Sequence, residues 1–326
     1  MTGVELPQIL EIAIQDYQEW ADRQMMSVQK KTDVSKPLYH YTDAAGLKGI
    51  ITNQVFWFTD FRHLNDPTEM HHGMNLARPL IDAGKSKKGR AGLLYAMLDD
   101  LFTFRNFSTV FAFFISCFTR KRDDLGQWRL NADDGRGFAI GLSARLFAIE
   151  NSLGNIPTQN VFVSPVFYNN VVTTRRHRQP MEQAVSVFLL ASNYAHRYLK
   201  HSSIGVPFLR ELALQVIASP MIWNCLTCKH SAYQEEDEVR LVVLGKKTKF
   251  RKYRRTRQRN GKAVPYIESN MPLHERGSIC EIIIGPAAPK TAETYVRKVL
   301  KDAGIKFAIP IRRSKIPYRS FKRSSP

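Results

Sequence analysis

The chain has 326 residues, 44% hydrophobic and 11% aromatic, which is enough apolar material for a large core and excludes a disordered chain. Four cysteines are too few for a disulfide scaffold, and with Glu5 and Glu11 where a basic leader would stand, no secretory signal is expected and the thiols are read as reduced, in the cytoplasm. A formal charge of +19 points to polyanionic partners, provided that the charge is concentrated.

Along the chain, Ile9, Ile12, Ile14, Tyr17, Trp20 and Met25 recur near helical spacing between charges and predict a helix over residues 4–31. Pro37 opens the extended piece "LYHYT", in which His40 stands between two tyrosines, and Thr42 or Asp43 caps a helix over "AAGLKGIITN". "VFWFTD" follows as a strand. In the loop "RHLNDPTEM", Asp66 before Pro67 marks a turn, and Asn65, Asp66 and Glu69 serve either that turn or a metal. Helices are expected over residues 73–80 and 91–102.

"NFSTVFAFFISCFT" holds 14 uncharged residues, short of the roughly 20 that span a bilayer, so it predicts core strand and no membrane partner. "LGQWRLNADDGRG" reads as a helix entering a glycine-rich turn, with Trp128 either in the core or lining a pocket. "FAIGLSARLF" and "VFVSPVFY" supply strands, and one or two long helices fill residues 181–218. Cys225 and Cys228 form a CxxC with His230 close behind, but no second pair at metal spacing follows, so no metal site is assigned.

"AYQEEDEVRLVVLG" opens a strand with carboxylates, and period-two alternation puts Glu236, Glu238 and Arg240 on one face. Such a set is either catalytic or a solvated edge. Next, "KKTKFRKYRRTRQRNGK", residues 246–262, carries ten Lys or Arg and no acid, and the tail "RRSKIPYRSFKRSSP" carries six more. Subtracting, 19 − 16 leaves +3 for everything else, so the basicity is two patches. Lys246, Lys247, Lys249, Arg251, Lys252, Arg254, Arg255, Arg257 and Arg259, near Phe250, Tyr253 and Tyr266, suit phosphate neutralisation with base stacking. The competing reading is a solvated basic loop. "ICEIIIGPA", a helix over 290–303 and a last strand "FAIPI" complete the chain.

Strands and helices mix without regular βαβ alternation, and neither a phosphate loop nor GxGxxG occurs. The expectation is an α+β fold: a mixed, mostly antiparallel sheet, whole or split, flanked by helices. An N-terminal helical segment (1–36) would precede one domain (37–319) with a basic insert at 246–262, and a basic tail (320–326) would follow.

The ordered motifs "LYHYTD", "LNDPTE", "SCFT", "QWRLNADDGRG", "YQEEDEVRLV", "EIIIGPA" and "SKIPYR" resemble the bacterial domain-of-unknown-function family 2971. The resemblance places His40 or Tyr41, Asn65, Asp66, Glu69, Trp128, Gly137, Glu236, Glu238, Arg240, Gly285, Ser314, Pro317, Tyr318 and Arg319 on matching positions. Asn131, where that family has an aromatic, and the basic stretch depart from it.

A looser resemblance, to ADP-ribosyltransferases of the diphtheria-toxin and poly-ADP-ribose polymerase type, rests on a histidine in the first strand, aromatics in the next and a glutamate opening a later one. It implies an ADP-ribosyltransferase-like fold with NAD as substrate. His40 would meet the adenosine ribose, Tyr41 or an aromatic of the Phe56–Phe58 cluster, Trp57 among them, would stack on nicotinamide, and Trp128 would line the pocket. Glu238 would hold the nicotinamide ribose and stabilise an oxocarbenium-like state, and Glu236 would activate the acceptor. A nucleic acid held by the basic stretch would be that acceptor, in a toxin or phage-defence setting. The alternatives are a non-enzymatic nucleic-acid-binding module and a metal-dependent nuclease built on Asp66, Glu69, Glu236 and Glu238.

Overall fold

The computed structural model describes residues 5–31, 35–64, 69–147, 161–199, 202–259 and 261–320. Asn65, Asp66 and most of the basic tail therefore lie outside the described residues, as does the side chain of Glu69.

Local chemistry sets the first elements. Helix α1 (Gln8–Lys31) buries Leu10, Ile14, Tyr17 and Met25 at helical spacing. Strand β1 (Leu38–Thr42) leads into α2 (Ala44–Asn53), where the Asp43 carboxylate accepts from the Gly46 N–H at 2.7 Å and Gln54 closes the helix with φ +54°. Strand β2 (Val55–Asp60), α3 (Glu69–Lys85) and α4 (Arg90–Leu101) follow. The apolar run then divides: Thr103 caps a short helix, α5 (Phe104–Val110), and only Phe111–Thr119 forms the core strand β3.

Next come α6 (Leu125–Asn131), β4 (Phe138–Leu142), β5 (Val161–Pro165), the long α7 (Asn170–Tyr198), α8 (Ser202–Leu212) and α9 (Ser219–Leu226). The last third holds β6 (Glu238–Lys246), α10 (Lys247–Phe250), β7 (Arg255–Arg259), β8 (Lys262–Asn270), β9 (Ile279–Ile284), α11 (Ala292–Asp302) and β10 (Ile311–Arg313).

The fold is α+β, with a mixed, mostly antiparallel sheet flanked by helices. Its order is β10-β9-β4-β1-β3-β2-β8-β7, with β6 paired to β3 and β5 to β6; of these ladders only β9–β10 is parallel. Strand β3 is the fork. One edge pairs with β6 along its whole length, while the other is divided between β1, at Thr119, and β2, at Phe114 and Ile115.

Two apolar layers cover the sheet. On one face, Phe111, Phe113, Ile115, Val242 and Leu244 pack under α1, α3, α4 and α7–α9, with Tyr39, Tyr41 and Trp128 forming a smaller cluster beside them. On the other, Phe56, Phe58, Phe114, Phe118, Val239 and Leu241 pack with α2 and α11.

Two expectations move. The stretch called a basic insert is the end of β6, a short helix and a hairpin strand, with Gly261 (φ +72°) in the turn. The last strand starts beyond "FAIP": Pro310 has no N–H to give to a ladder, and Ile311–Arg313 pairs instead.

Candidate functional site: a buried ion network and an exposed arginine face

Residues opposed across a ladder share a face. The row Tyr39–Thr119–Glu238 therefore puts Tyr39, Tyr41, Cys117, Glu238 and Arg240 on one face, and His40 and Phe118 on the other. His40 and Tyr41, adjacent in a strand, point away from each other.

His40 sits at the fork. Its Nδ1 lies 3.0 Å from the Cys117 carbonyl, between the β3 residues taken by β1 and by β2, so Nδ1 carries the proton. Its ring meets Phe56 edge-on at 5.3 Å and Phe118 at 5.5 Å. Burial lowers its pKa against the opposing effect of the Cys117 carbonyl, and Arg257 lowers it further. On the opposite face, the Tyr41 hydroxyl donates to the Lys121 carbonyl and accepts from the Asp124 N–H, and its ring meets Trp128 edge-on at 4.7 Å. Trp128 is fully buried and donates Nε1–H to Asp123 at 2.6 Å.

Glu238 and Arg240 do share a face, and they bind each other. Arg240 Nε and Nη2 donate to the two carboxylate oxygens at 2.9 Å each, and Nη1 donates to the Leu226 carbonyl. Burial alone would raise the Glu238 pKa; the guanidinium, with help from Lys229, brings it down to about 2. Glu236 stands in a 3₁₀ turn before the strand, where buried Lys229 reaches it at 2.7 Å and Glu238 at 3.7 Å. The two carboxylates thus share a cation, which a sequence reading of Glu236, Glu238 and Arg240 alone did not contain. Lys229 stands between the end of α9 and the turn at residues 231–236 that carries Glu236 back to it, and its neighbours "CKHSAYQEE" are the local hint of this pairing.

Cys225 and Cys228 are buried beside α3 and form no disulfide; the Cys228 thiol donates to the Cys225 carbonyl, and a Cβ on Gly73 would come within 2.9 Å of its sulfur. Among the described residues no group of three or more His, Cys, Asp or Glu is placed to hold a metal.

Charge is arranged differently at the hairpin. The alternation "RTRQR" sends Arg255, Arg257 and Arg259 to one face of β7 at intervals of ~6.7 Å. That face continues across the sheet through Tyr266 and Glu268 of β8 to Trp57 and Thr59 of β2. The Arg257 guanidinium lies 4.7 Å from the Trp57 ring and 5.9 Å from Tyr266, and it donates to the Thr59 hydroxyl at 3.1 Å. Trp57 and Tyr266 are 4.6 Å apart, and Trp57 is 40% exposed. Glu268, the one carboxylate among the described residues of this platform, is taken by Arg255 at 2.9 Å and by the Trp57 indole.

The glycine-rich motif has a packing role. Gly135 (φ +81°) and Gly137 turn the chain after α6, and a Cβ on Gly137 would lie 2.2 Å from the Thr42 carbonyl. Gly285 donates to the Gly137 carbonyl, and the Tyr318 hydroxyl donates to Asp134 at 2.6 Å. "NADDGRG", "IIIGPA" and "SKIPYR" meet at this junction.

A family model described as "Protein of unknown function (DUF2971)" matches residues 127–241, from α6 to the Glu238–Arg240 pair. No curated protein and no solved structure matches the chain. The basic hairpin lies outside the matched segment.

Proposed function

We propose that the protein binds single-stranded nucleic acid across the face formed by β7, β8 and β2. The observation that carries this reading is the Arg257 guanidinium resting on Trp57 and Tyr266 within a row of arginines. Arginines spaced along a strand neutralise successive phosphates, and exposed aromatics beside them offer bases a surface to stack on. Among the described residues, the acid on this face, Glu268, is already engaged by Arg255. The test is fluorescence anisotropy of a labelled single-stranded oligonucleotide at several salt concentrations. Arg255→Ala with Arg259→Ala should weaken binding and flatten the salt dependence by about 0.7 in log–log slope for each phosphate that is no longer neutralised. An unchanged slope would reject this face.

A second reading, NAD cleavage by an ADP-ribosyltransferase-like site at Glu238, has one observation in its favour. Glu238 stays ionised in the neutral range, as a stabiliser of positive charge must, and it shares its face with Tyr41. Against it, Arg240 occupies both carboxylate oxygens and His40 lies on the opposite face. Turnover of NAD that Glu238→Gln abolishes, in a variant shown to be folded, would favour it over the first.

A further inference from the structure

A cavity of about 530 Å³ opens beside the hairpin, at the far end of β6 from Glu238. Val110, Phe113, Phe114 and Phe250 give it apolar walls. Its charged lining is Arg62, Lys246, Lys247, Arg251 and Arg254 against one carboxylate, Asp60, which Arg62 grips through Nε and Nη2 at 2.9 and 2.7 Å. Of the other four cations, Lys247 donates to the Ser108 carbonyl at 3.3 Å, and among the described lining residues Asp60 is the only acid.

The third component is backbone. The β2 ladder stops at the Asp60–Phe114 pair, after which the chain turns away, and β6 takes only the opposite edge of β3. Over residues 111–113 this edge has no partner strand among the described residues. Alternate residues of such an edge turn their N–H and C=O groups outward, and of these the Phe111 N–H already donates to the Phe107 carbonyl at the end of α5.

We propose that this cavity takes one nucleotide unit: a base between the apolar walls, its polar edge on the β3 backbone, and its phosphate on Arg251, Arg254 and Lys246. The volume lies within the range of small-molecule sites, and an apolar slot with a cationic mouth fits a flat ring that carries a phosphate. Arg254 in the lining directly precedes Arg255 of the platform, so the cavity adjoins the platform at this end of the hairpin, while Asp60, next to Thr59 in β2, lies on the opposite face of the sheet. The unit is then either a free mononucleotide or an unstacked or terminal nucleotide of a bound strand. The second source rests on the strand-binding reading above.

The test is calorimetric titration of the full chain with the four 5′-mononucleotides, with inorganic phosphate as control. Two variants accompany it: Thr248→Trp, which fills the cavity from an exposed position of α10 and keeps every charge, and Arg251→Ala with Arg254→Ala. We expect at least one mononucleotide to saturate below about 10 mM, at least about tenfold more tightly than phosphate, and each variant to lose about tenfold or more. An oligonucleotide that competes with the mononucleotide and is itself weakened by Thr248→Trp identifies a strand-borne nucleotide; one insensitive to Thr248→Trp identifies a free one. The inference is overturned if no mononucleotide saturates, if phosphate binds as well as the nucleotides do, or if Thr248→Trp, shown to be folded, leaves mononucleotide binding unchanged. Oligonucleotide binding that depends on Arg255 and Arg259 survives those outcomes, so the cavity and the platform fail separately.

Discussion

Strand β6 begins and ends in charge, and the two ends are built on opposite principles. At Glu238 the charges are buried, bidentate and shared: Arg240 is 1% exposed, Glu238 6% and Lys229 5%. At Lys246 and in the hairpin that follows, Lys247, Arg251, Arg254, Arg255 and Arg259 are exposed, and the one of them paired with Glu268, Arg255, keeps its side chain in water. The first arrangement satisfies itself and asks nothing of a ligand. The second holds positive charge in water beside a cavity and an aromatic surface, which is where the proposed strand would place its phosphates. Charge in the sequence is the same signal in both places; burial and pairing decide what it means.

The sharpest way to break this contrast is to remove one partner at the buried end. Glu238→Gln leaves a desolvated guanidinium with half its pairing, and a loss of about 3–5 kcal/mol in unfolding free energy is expected in denaturant titration. Glu238→Leu combined with Arg240→Met should recover most of that loss, because a packed apolar pair needs no desolvation. If Glu238→Gln is neutral, the network is not what holds this end together.

Acid probes the buried interior without mutation. His177, on the buried side of α7 against Gly73 of α3, has its pKa pushed down to about 3 by burial and by Arg176 beside it. The unfolded chain protonates this ring near pH 6.5 and the folded chain does not. Stability should therefore fall as pH drops from about 6.5 towards 3, by up to about 1.4 kcal/mol per unit, or about 2 kcal/mol at pH 5. His177→Leu should flatten that slope. Glu238 acts lower: its depressed pKa stabilises the fold above the unfolded carboxylate range, and that contribution disappears between about pH 4.5 and 2. Urea titrations of both proteins across this range separate the two windows.

What the sequence made legible is what neighbours in the chain decide. The Asp43 cap, the strand at "LYHYT" and the shared face of Glu238 and Arg240 follow from local spacing, and each is in place. The same alternation carried a warning about His40 and Tyr41, since neighbours in a strand face opposite ways. The hairpin was signalled by Asn260-Gly261 between two alternating segments, but its charge invited reading it as a loop. The bridging of Glu236 and Glu238 by Lys229, the cavity at the end of β2 and the fork at β3 depend on long-range pairing, which no local window encodes.

The smallest expected effect is the most discriminating one. Trp57→Ala removes an aromatic ring that is 40% exposed and contacts Arg257 and Tyr266, so it should cost only about 1 kcal/mol of stability while weakening oligonucleotide binding by about 1–3 kcal/mol. Replacing Arg255 and Arg259 together should move stability by no more than about 0.5 kcal/mol, since both side chains project into solvent and surface pairs contribute little. A folded-state loss as large as that of Glu238→Gln would place these arginines in the architecture and remove the contrast between the two ends of β6. Unchanged stability with a flattened salt dependence would leave one explanation for charge kept exposed along a strand that buries its opposite end: the exposed end is held ready for a partner outside the chain.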